Sequence, residues 1–535
     1  MRATLRRGPV PALLGLVLLV LVIRPWGAFW LDDDWTAWLT VRRLLGGGGL
    51  VIPDIVSPTL VWHALWGAGF AKVFGASPAA LRLSTLVLAA AALAALAALA
   101  REREDKAVWT LAPSLLLLAC PLFLIQSLTF MTDVPFLAWS LLSLLALRRA
   151  ARTGATGWWL AAGLLAAAAY LVRQLGLPLT LGGACWLWSR RKLKPRAAWY
   201  LGTPLAAALL HGLWFHFVHG PTWASSVYVG AATAARLSHP WALLWDTYYR
   251  AAAAALYLSL FTLPLLAALV EREGLPARGW KGGALALAAL LPLVCRAGRL
   301  PYFTGIIGPG GLGVPTISGL AEKASGLIGS PAFFWALTAA GAAGVLGWAC
   351  HARLLAAALR DEDASLLAWP AALCLAASML GARFFDRYFL AAAPAALLLA
   401  FRAARPARAT FAASLLSALL LAWSGLGAAD YFAWNAAKTQ AGALAAAAGI
   451  PADRLLNGLD WIGPRVYEER MAALKAQKPL SQIGEWEWLG GAALEGATSF
   501  SAVPQPGFET VASASYRTPL SLSPARVYVH RQLRR

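Results

Sequence analysis

The chain has 535 residues, 59% of them hydrophobic and only 13% charged, with a mean hydropathy of +0.62. Soluble domains carry about 25% charged residues, so this composition excludes a soluble globular protein and predicts an integral membrane protein with many spans. The net charge of +21 does not indicate nucleic-acid binding, because the basic residues punctuate apolar runs instead of forming one patch.

The N-terminus, MRATLRRGP followed by an apolar run, has the outline of a signal peptide. The run is long, however, and no small-residue cleavage site precedes the acids that follow it, so it reads as an uncleaved first span. Thirteen apolar segments follow in order, near 10–30, 80–99, 108–126, 134–148, 157–172, 175–189, 197–218, 250–270, 282–295, 331–350, 365–380, 386–401 and 409–427. Several are shorter than the roughly twenty residues a span prefers. The pair 157–172 and 175–189 is separated by little more than Arg173-Gln174. Cys120, Cys185, Cys295, Cys350 and Cys374 all fall inside or at the edge of apolar runs. They read as small hydrophobes, not as disulfides or metal ligands.

Alternate connections hold the basic residues: Arg2/Arg6/Arg7, Arg101/Arg103/Lys106, Arg148/Arg149/Arg152, the string RRKLKPR at 190–196, Arg272/Arg278/Lys281, Arg353/Arg360 and Arg402/Arg405/Arg408. These seven stretches carry 22 of the 46 Lys and Arg. An excess of Lys and Arg on short loops marks the cytoplasmic side. The N-terminus is therefore expected inside, and the loops at about 31–79, 219–249 and 296–330 outside. The segment 428–535 is expected outside as well, and it changes character: 11 Lys/Arg balance 9 Asp/Glu, and no run is long enough to span. DYFAWNAAKTQAGALAAAAG predicts a helix ending at a glycine, and RVYVHRQL alternates like a strand. The expected architecture is an all-α polytopic membrane domain of about 13 transmembrane helices over 1–427, followed by a small extracytoplasmic α/β domain over 428–535.

Three consecutive acids, Asp32, Asp33 and Asp34, stand directly after the first apolar segment in FWLDDDWTAW. Clustered carboxylates at the water–lipid boundary mark a candidate active site; the plain alternative is a solvated stop to the helix. Asp133, in SLTFMTDVPFLAW, lies where the fourth segment begins. An acid among such neighbours needs a partner or water, or it caps the helix, with Pro135 in the first turn. Arg82, Arg173, Arg383 and Arg387 share that side. Arginine binds phosphate in a planar, bidentate way, so the set suits an anionic, lipid-linked substrate. Snorkelling to headgroups accounts equally well for Arg82. The charge of Arg173 needs either a phosphate or a protein carboxylate such as Asp133.

The acidic motif after the first segment, then SPTLVWHALWGAGFAKVFGASPAALRLSTL, a Thr-Asp dipeptide opening the fourth segment, a basic residue between the fifth and sixth, and RYFLAAAP near 387–394 occur in this order. Over roughly residues 10–400 the chain resembles the GT-C membrane glycosyltransferases of the family 39 type, which include protein O-mannosyltransferases and lipid A aminoarabinose transferases. That family usually shows an Asp-Glu pair where this chain has three aspartates, which leaves the choice among them open, and often a Lys where this chain has Arg173. The resemblance implies a GT-C-like fold, a polyprenyl-phosphate sugar donor and an inverting single displacement onto an acceptor hydroxyl at the outer face of a bacterial inner membrane. It implies a catalytic set of Asp33, Asp34, Asp32 and Asp133, with Asp34 slightly ahead of Asp33 as base. It implies a substrate-binding set of Arg82, Arg173, His63, Arg383, Asp386, Arg387 and Tyr388. One carboxylate acting as base toward the acceptor suffices, since a phosphate leaving group needs no strong acid. No particular cofactor follows from these residues, and the three oxygen-only ligands also suit a hard divalent cation.

A transporter or flippase for a lipid-linked glycan would also place charge in a membrane cavity. Such proteins often show internal repeats and midplane charges; here the charges sit at segment ends and no half resembles the other. An assembly protein whose external tail binds a partner is the third class. The topology has a direct test: a phosphatase fused after residue 430 is expected to be active and one fused after residue 194 inactive. The reverse pattern would put Asp32–Asp34 in the cytoplasm.

Overall fold

The computed structural model describes residues 9–56, 59–101, 111–323, 326–405, 410–489, 494–518 and 524–533. The orientation signals at Arg2, Arg6, Arg7, Arg103, Lys106 and Arg408 lie outside the described residues. Among the described residues each apolar segment falls largely on helix, and eight helices are long and apolar enough to cross a membrane: Pro78–Ala100, Asp133–Thr153, Ala197–His219, Pro240–Glu273, Ala277–Ala297, Pro331–Cys350, Glu362–Leu380 and Phe411–Ala447. Val10–Ile23, Thr156–Val172 and Ala393–Ala404 are shorter apolar helices.

Local chemistry shortens the others. The first segment is helical only over Val10–Ile23 and not to residue 30. Arg24 turns left-handed (φ 53°), its N–H closing on the Val20 carbonyl at 2.9 Å, and Pro25 follows. A residue before proline is driven out of the α region, so residues 24–33 leave the helix as an irregular strap. The same rule breaks the third segment: Cys120 is extended before Pro121, separating Ala112–Ala119 from Pro121–Ser127. Arg173 is extended (φ −148°, ψ 140°) and divides Thr156–Val172 from Gly176–Ser189. The twelfth segment opens as a 3₁₀ turn, Asp386–Ala391, before Ala393–Ala404.

Small residues let the helices approach. Gly341, Gly344 and Gly347 recur at intervals of three along Pro331–Cys350 and lie against Leu256, Ser259 and Leu266 of Pro240–Glu273. Packing of this kind drives helix association where lipid supplies no hydrophobic contrast.

The last long helix, Phe411–Ala447, runs unbroken through residue 427 for 37 residues, about 55 Å at 1.5 Å per residue. The helix expected over 430–449 is its continuation, ending before Gly449 (φ 84°). A four-stranded sheet follows in the order Leu455–Leu456, Gly496–Ser499, Ala525–Gln532, Phe508–Tyr516, the first pair parallel and the others antiparallel. The strand expected from RVYVHRQL is Ala525–Gln532, with Val527 and Val529 fully buried. The loop 298–330 carries a small hairpin, Ile307–Gly308 with Gly311–Leu312, and Ser318 bridges to Ser499 of the sheet.

Added volume at the glycine seam has nowhere to go. A Cβ at Gly344 already sits 3.0 Å from the Ser259 carbonyl. Gly344→Leu is therefore expected to destabilise the protein by about 1–3 kcal/mol, the usual cost of overpacking, read as a lower Tm of the detergent-solubilised protein.

Candidate active site

The strap 24–33 delivers the three aspartates to the start of the helix Asp34–Leu45. Arg82 fixes that strap. Its guanidinium is fully buried, donates to the carbonyls of Pro25 (2.8 Å), Gly27 (2.9 Å) and Phe29, and lies over the Phe29 ring at 4.9 Å. It neither snorkels to the surface nor lines the cavity described below, so its observed contacts are those of a clamp on the approach to the acids.

Asp32 adopts a left-handed conformation (φ 51°), which aspartate tolerates better than most residues. The turn this creates sends three consecutive side chains three ways. Asp32 Oδ2 accepts from Arg387 Nη1 at 3.3 Å. Asp34 is sealed, 1% exposed, and its Oδ1 accepts the Phe130 N–H at 2.9 Å. Asp33 is exposed, forms no side-chain hydrogen bond or ion pair among the described residues, and opens into a cavity of about 570 Å³. His63 supports the same corner from behind: Nε2–H donates to the Phe130 carbonyl at 3.0 Å and its ring stacks on Phe130 at 4.0 Å. Burial lowers His63 to about 4, so it is neutral.

Asp133 does not cap its helix through its side chain, and neither does Thr132. Its carboxylate takes Arg173 Nη1 at 2.5 Å on Oδ1, and Gln126 Nε2 at 3.1 Å and Arg387 Nε at 4.0 Å on Oδ2. The protein carboxylate is thus the partner that Arg173 finds. The charges form an alternating row, Arg173–Asp133–Arg387–Asp32. Aromatic faces complete it, with Arg173 over Tyr388 at 5.1 Å and Arg387 over Phe385 at 4.6 Å. Arg383 pairs with Glu485 and lies over Tyr228 at 4.7 Å. Asp33, Arg173, Arg383, Arg387 and Tyr388 share the cavity wall. Asp386 does not: it is fully buried and accepts the N–H groups of Ile306 (2.9 Å) and Ile307 (2.6 Å), pinning the 298–330 loop.

Electrostatics separate the acids. Burial raises Asp34 to about 7, against the lowering effect of Arg82 and the Phe130 N–H. Burial, then the neighbouring Asp33 charge, raises Asp32 well above the usual carboxylate range. Asp33 is also raised, first by the loss of solvent around it at the cavity, while Arg387 pulls it down. Burial opposes the charge of Arg387, but Asp133 and Asp32 outweigh it, so Arg387 holds its proton more tightly than a free arginine. Arg173, Arg383 and Arg387 each spend only part of their five donors on these partners. The aspartates diverge, and among the described residues no three His, Cys, Asp or Glu are grouped as metal ligands.

Residues outside the expected set also enter. Gln126 orients Asp133. Glu485 and Trp486 of the tail line the cavity, as do Trp223 and Tyr228 of the loop before Pro240–Glu273. An acid–tryptophan alternation, GEWEW at 484–488, was the available signal in the segment expected to form the small extracytoplasmic domain.

Residues 56–214 match the family model described as dolichyl-phosphate-mannose-protein mannosyltransferase. This agrees with the resemblance read from the sequence, and the matched stretch holds His63, Arg82, Asp133 and Arg173. Two crystal structures of ArnT from Cupriavidus metallidurans, one in the apo state and one bound to undecaprenyl phosphate, are similar at 14% and 13% identity, each with 97% of both chains covered and TM-scores of 0.36 and 0.37. None of the curated proteins compared matches the chain by sequence.

The Arg173–Asp133 pair has a testable cost. Asp133 is 5% exposed at its side chain and Arg173 18%. Arg173→Ala strands a buried carboxylate and is expected to lose about 3 kcal/mol of stability, at the lower end for a broken buried pair because the guanidinium is partly solvated. Exchanging the two residues is expected to recover only part of that loss in a thermal unfolding assay, because an arginine at 133 would face Arg387.

Proposed function

We propose that the protein is a membrane glycosyltransferase that moves a sugar from a polyprenyl-phosphate donor to an acceptor hydroxyl at the outer face of a bacterial inner membrane, with inversion, using Asp33 as base. The observation that carries this reading is one cavity in which an unpaired carboxylate, Asp33, shares the wall with three arginines that keep unused N–H donors. The match of residues 56–214 to a mannosyltransferase family supports it. Met131, Val172, Leu175 and Leu380 give the same cavity an apolar side suited to the first units of a prenyl chain.

In this reading the acceptor hydroxyl gives its proton to Asp33 as its oxygen bonds to the anomeric carbon. The bond from that carbon to the phosphate oxygen breaks, and the electron pair leaves on the polyprenyl phosphate. Arg387 and Arg383 meet the growing phosphate charge with the N–H groups not spent on Asp32 and Glu485, stabilising the transition state more than the ground state. Asp32 and Asp133 orient Arg387, and Arg82 and Asp34 hold the turn that aims Asp33. The N-terminus lies in the cytoplasm and the tail outside.

The test is transfer of labelled sugar from a polyprenyl-phosphate donor by purified protein. Asp33→Asn is expected to reduce kcat/KM by about 10²–10⁴-fold, as for loss of a general base, with normal insertion and yield. Asp34→Asn is expected to cost less, because Asp34 is sealed from the cavity. The reverse ranking would transfer the role to Asp34. A base must be ionised to act, and Asp33 is raised, so activity should rise with pH along an acid limb above the ordinary carboxylate value of about 4 and be lost below it.

A further inference from the structure

The extramembrane part of Phe411–Ala447 carries Asp430, Trp434 and Lys438 four residues apart, hence on one face. Each charge on that face has a buried partner from another segment. Lys323 Nζ contacts Asp430 Oδ2 at 2.8 Å and donates to the Gly310 carbonyl at 2.7 Å. Lys438 Nζ pairs with Asp460 Oδ2 and donates to Thr316 Oγ1 at 2.8 Å. The two ammonium groups lie 5.6 and 5.3 Å from the Trp434 ring. The Lys438 and Asp460 side chains are 1% and 2% exposed.

A buried ion pair is weak evidence for stability, since desolvation offsets the attraction, so its location matters more than its presence. Asp460 sits in the first turn of the helix Leu459–Gln477. Three residues on, Gly463 rests on the ring of Trp35, where a Cβ would come within 2.5 Å. Trp35 directly follows Asp34. The first turn of the tail helix is therefore seated on the acid-bearing turn, and Asp460 brings a fourth carboxylate beside Asp32, Asp33 and Asp34. Its Oδ1 is buried without a hydrogen-bond partner.

We propose that Lys438 and Asp460, contributed by the extramembrane tail, are a positioning pair that sets both the placement of the Asp32–Asp34 turn and the electric field felt by the carboxylate of Asp33. This rests on the reading of Asp33 as base. The charged groups acting on Asp33 are Arg387, Arg383, Glu485 and Asp460, with Asp32 and Asp34 adjacent in the chain. Asp32 faces Arg387 and also senses Asp460; Asp34 faces Arg82 and Asp460; Lys438 in turn senses Asp32. Arg465 is the other cation that senses Asp460, and Tyr431 is packed among the same acids. With both members present, Lys438 offsets part of the field of Asp460, which still acts on the three aspartates. With one removed, the survivor acts on Asp33 uncompensated, and the two single losses act in opposite directions.

The experiment compares pH profiles of sugar transfer for Lys438→Met, Asp460→Asn, the double variant and Lys438→Arg. Asp460→Asn leaves an added positive charge and is expected to move the acid limb down by about 1 pH unit, the lower end of the effect of a nearby opposite charge on a carboxylate. Lys438→Met is expected to move it up. The double variant is expected to return it toward the wild-type position, and Lys438→Arg to leave it near there. A limb that stays fixed in Asp460→Asn and the double variant, with kcat falling only in proportion to folded protein, overturns the proposal and leaves the pair a plain structural bridge. A shift of the same sign in both single variants overturns it too. The carboxylic-acid carbonyl band lost in an Asp33→Asn background, followed by infrared difference spectroscopy, titrates Asp33 without turnover. If wild-type protein transfers no sugar, the glycosyltransferase reading fails, while that titration still shows whether Asp460→Asn shifts Asp33.

Discussion

Asp133 holds two arginines, and the candidate site is arranged around that fact. A guanidinium placed where a helix breaks at the membrane face is costly without a partner. Arg173 meets this constraint through Asp133, at 2.5 Å, and the second oxygen of the same carboxylate reaches toward Arg387. Arg387, so held, takes Asp32. With Asp32 bound on one side and Asp34 on the Phe130 N–H on the other, the acid between them has no partner to take. The free carboxylate of Asp33 is thus a consequence of how its neighbours are satisfied. The left-handed turn at Asp32 allows the three side chains to part in this way.

Much of this was legible in the sequence. The acid triplet after the first apolar segment, the Thr-Asp dipeptide, Arg173 between two short segments and the FFDRYF string all name residues that meet at or beside one cavity. They were legible because their cost is local: charge among apolar neighbours shows in a window of a few residues. The apolar segments were readable for the same reason, and the errors at their ends trace to proline, as at Pro25 and Pro121. What could not be read depended on distance along the chain. Asp32 and Arg387 are 355 residues apart, and nothing near Arg82 shows that its donors go to carbonyls of the strap 24–33. Asp386 looked like a site acid from its neighbours, yet its two oxygens serve the backbone of Ile306 and Ile307.

The tail is the small C-terminal sheet domain that was expected, and what its sequence did not show is how closely it is tied to the helices. Its balanced charge and absence of spans suggested a separate unit, but the helix that leads into it is continuous with the last span. Its other elements return to the acid-bearing helix: Glu468 pairs with Arg42 and Arg43, and Trp35 packs among Tyr467 and Trp488. Surface pairs like those of Glu468 contribute little. The aromatic cluster and the seat of Gly463 on Trp35 fix the register far more firmly, because close-packed rings tolerate no displacement without opening a void.

Three adjacent aspartates therefore perform three different physical tasks. Asp34 is structural: sealed and raised by burial, it ties the turn to Phe130, whose carbonyl is held in turn by a neutral His63. Asp32 is electrostatic, fixing an arginine at the cavity wall. Asp33 alone is free to exchange a proton with something in the cavity. Identical chemistry at consecutive positions acquires distinct roles because a turn, unlike a helix or strand, projects successive side chains into unrelated surroundings. A Glu at position 34 would add a methylene where the sealed side chain has no room, and one at position 32 would alter the contact to Arg387, which the short side chain sets. Short acids at 32 and 34 are what this turn holds, and the function proposed for it depends on the acid between them that the turn leaves unpaired.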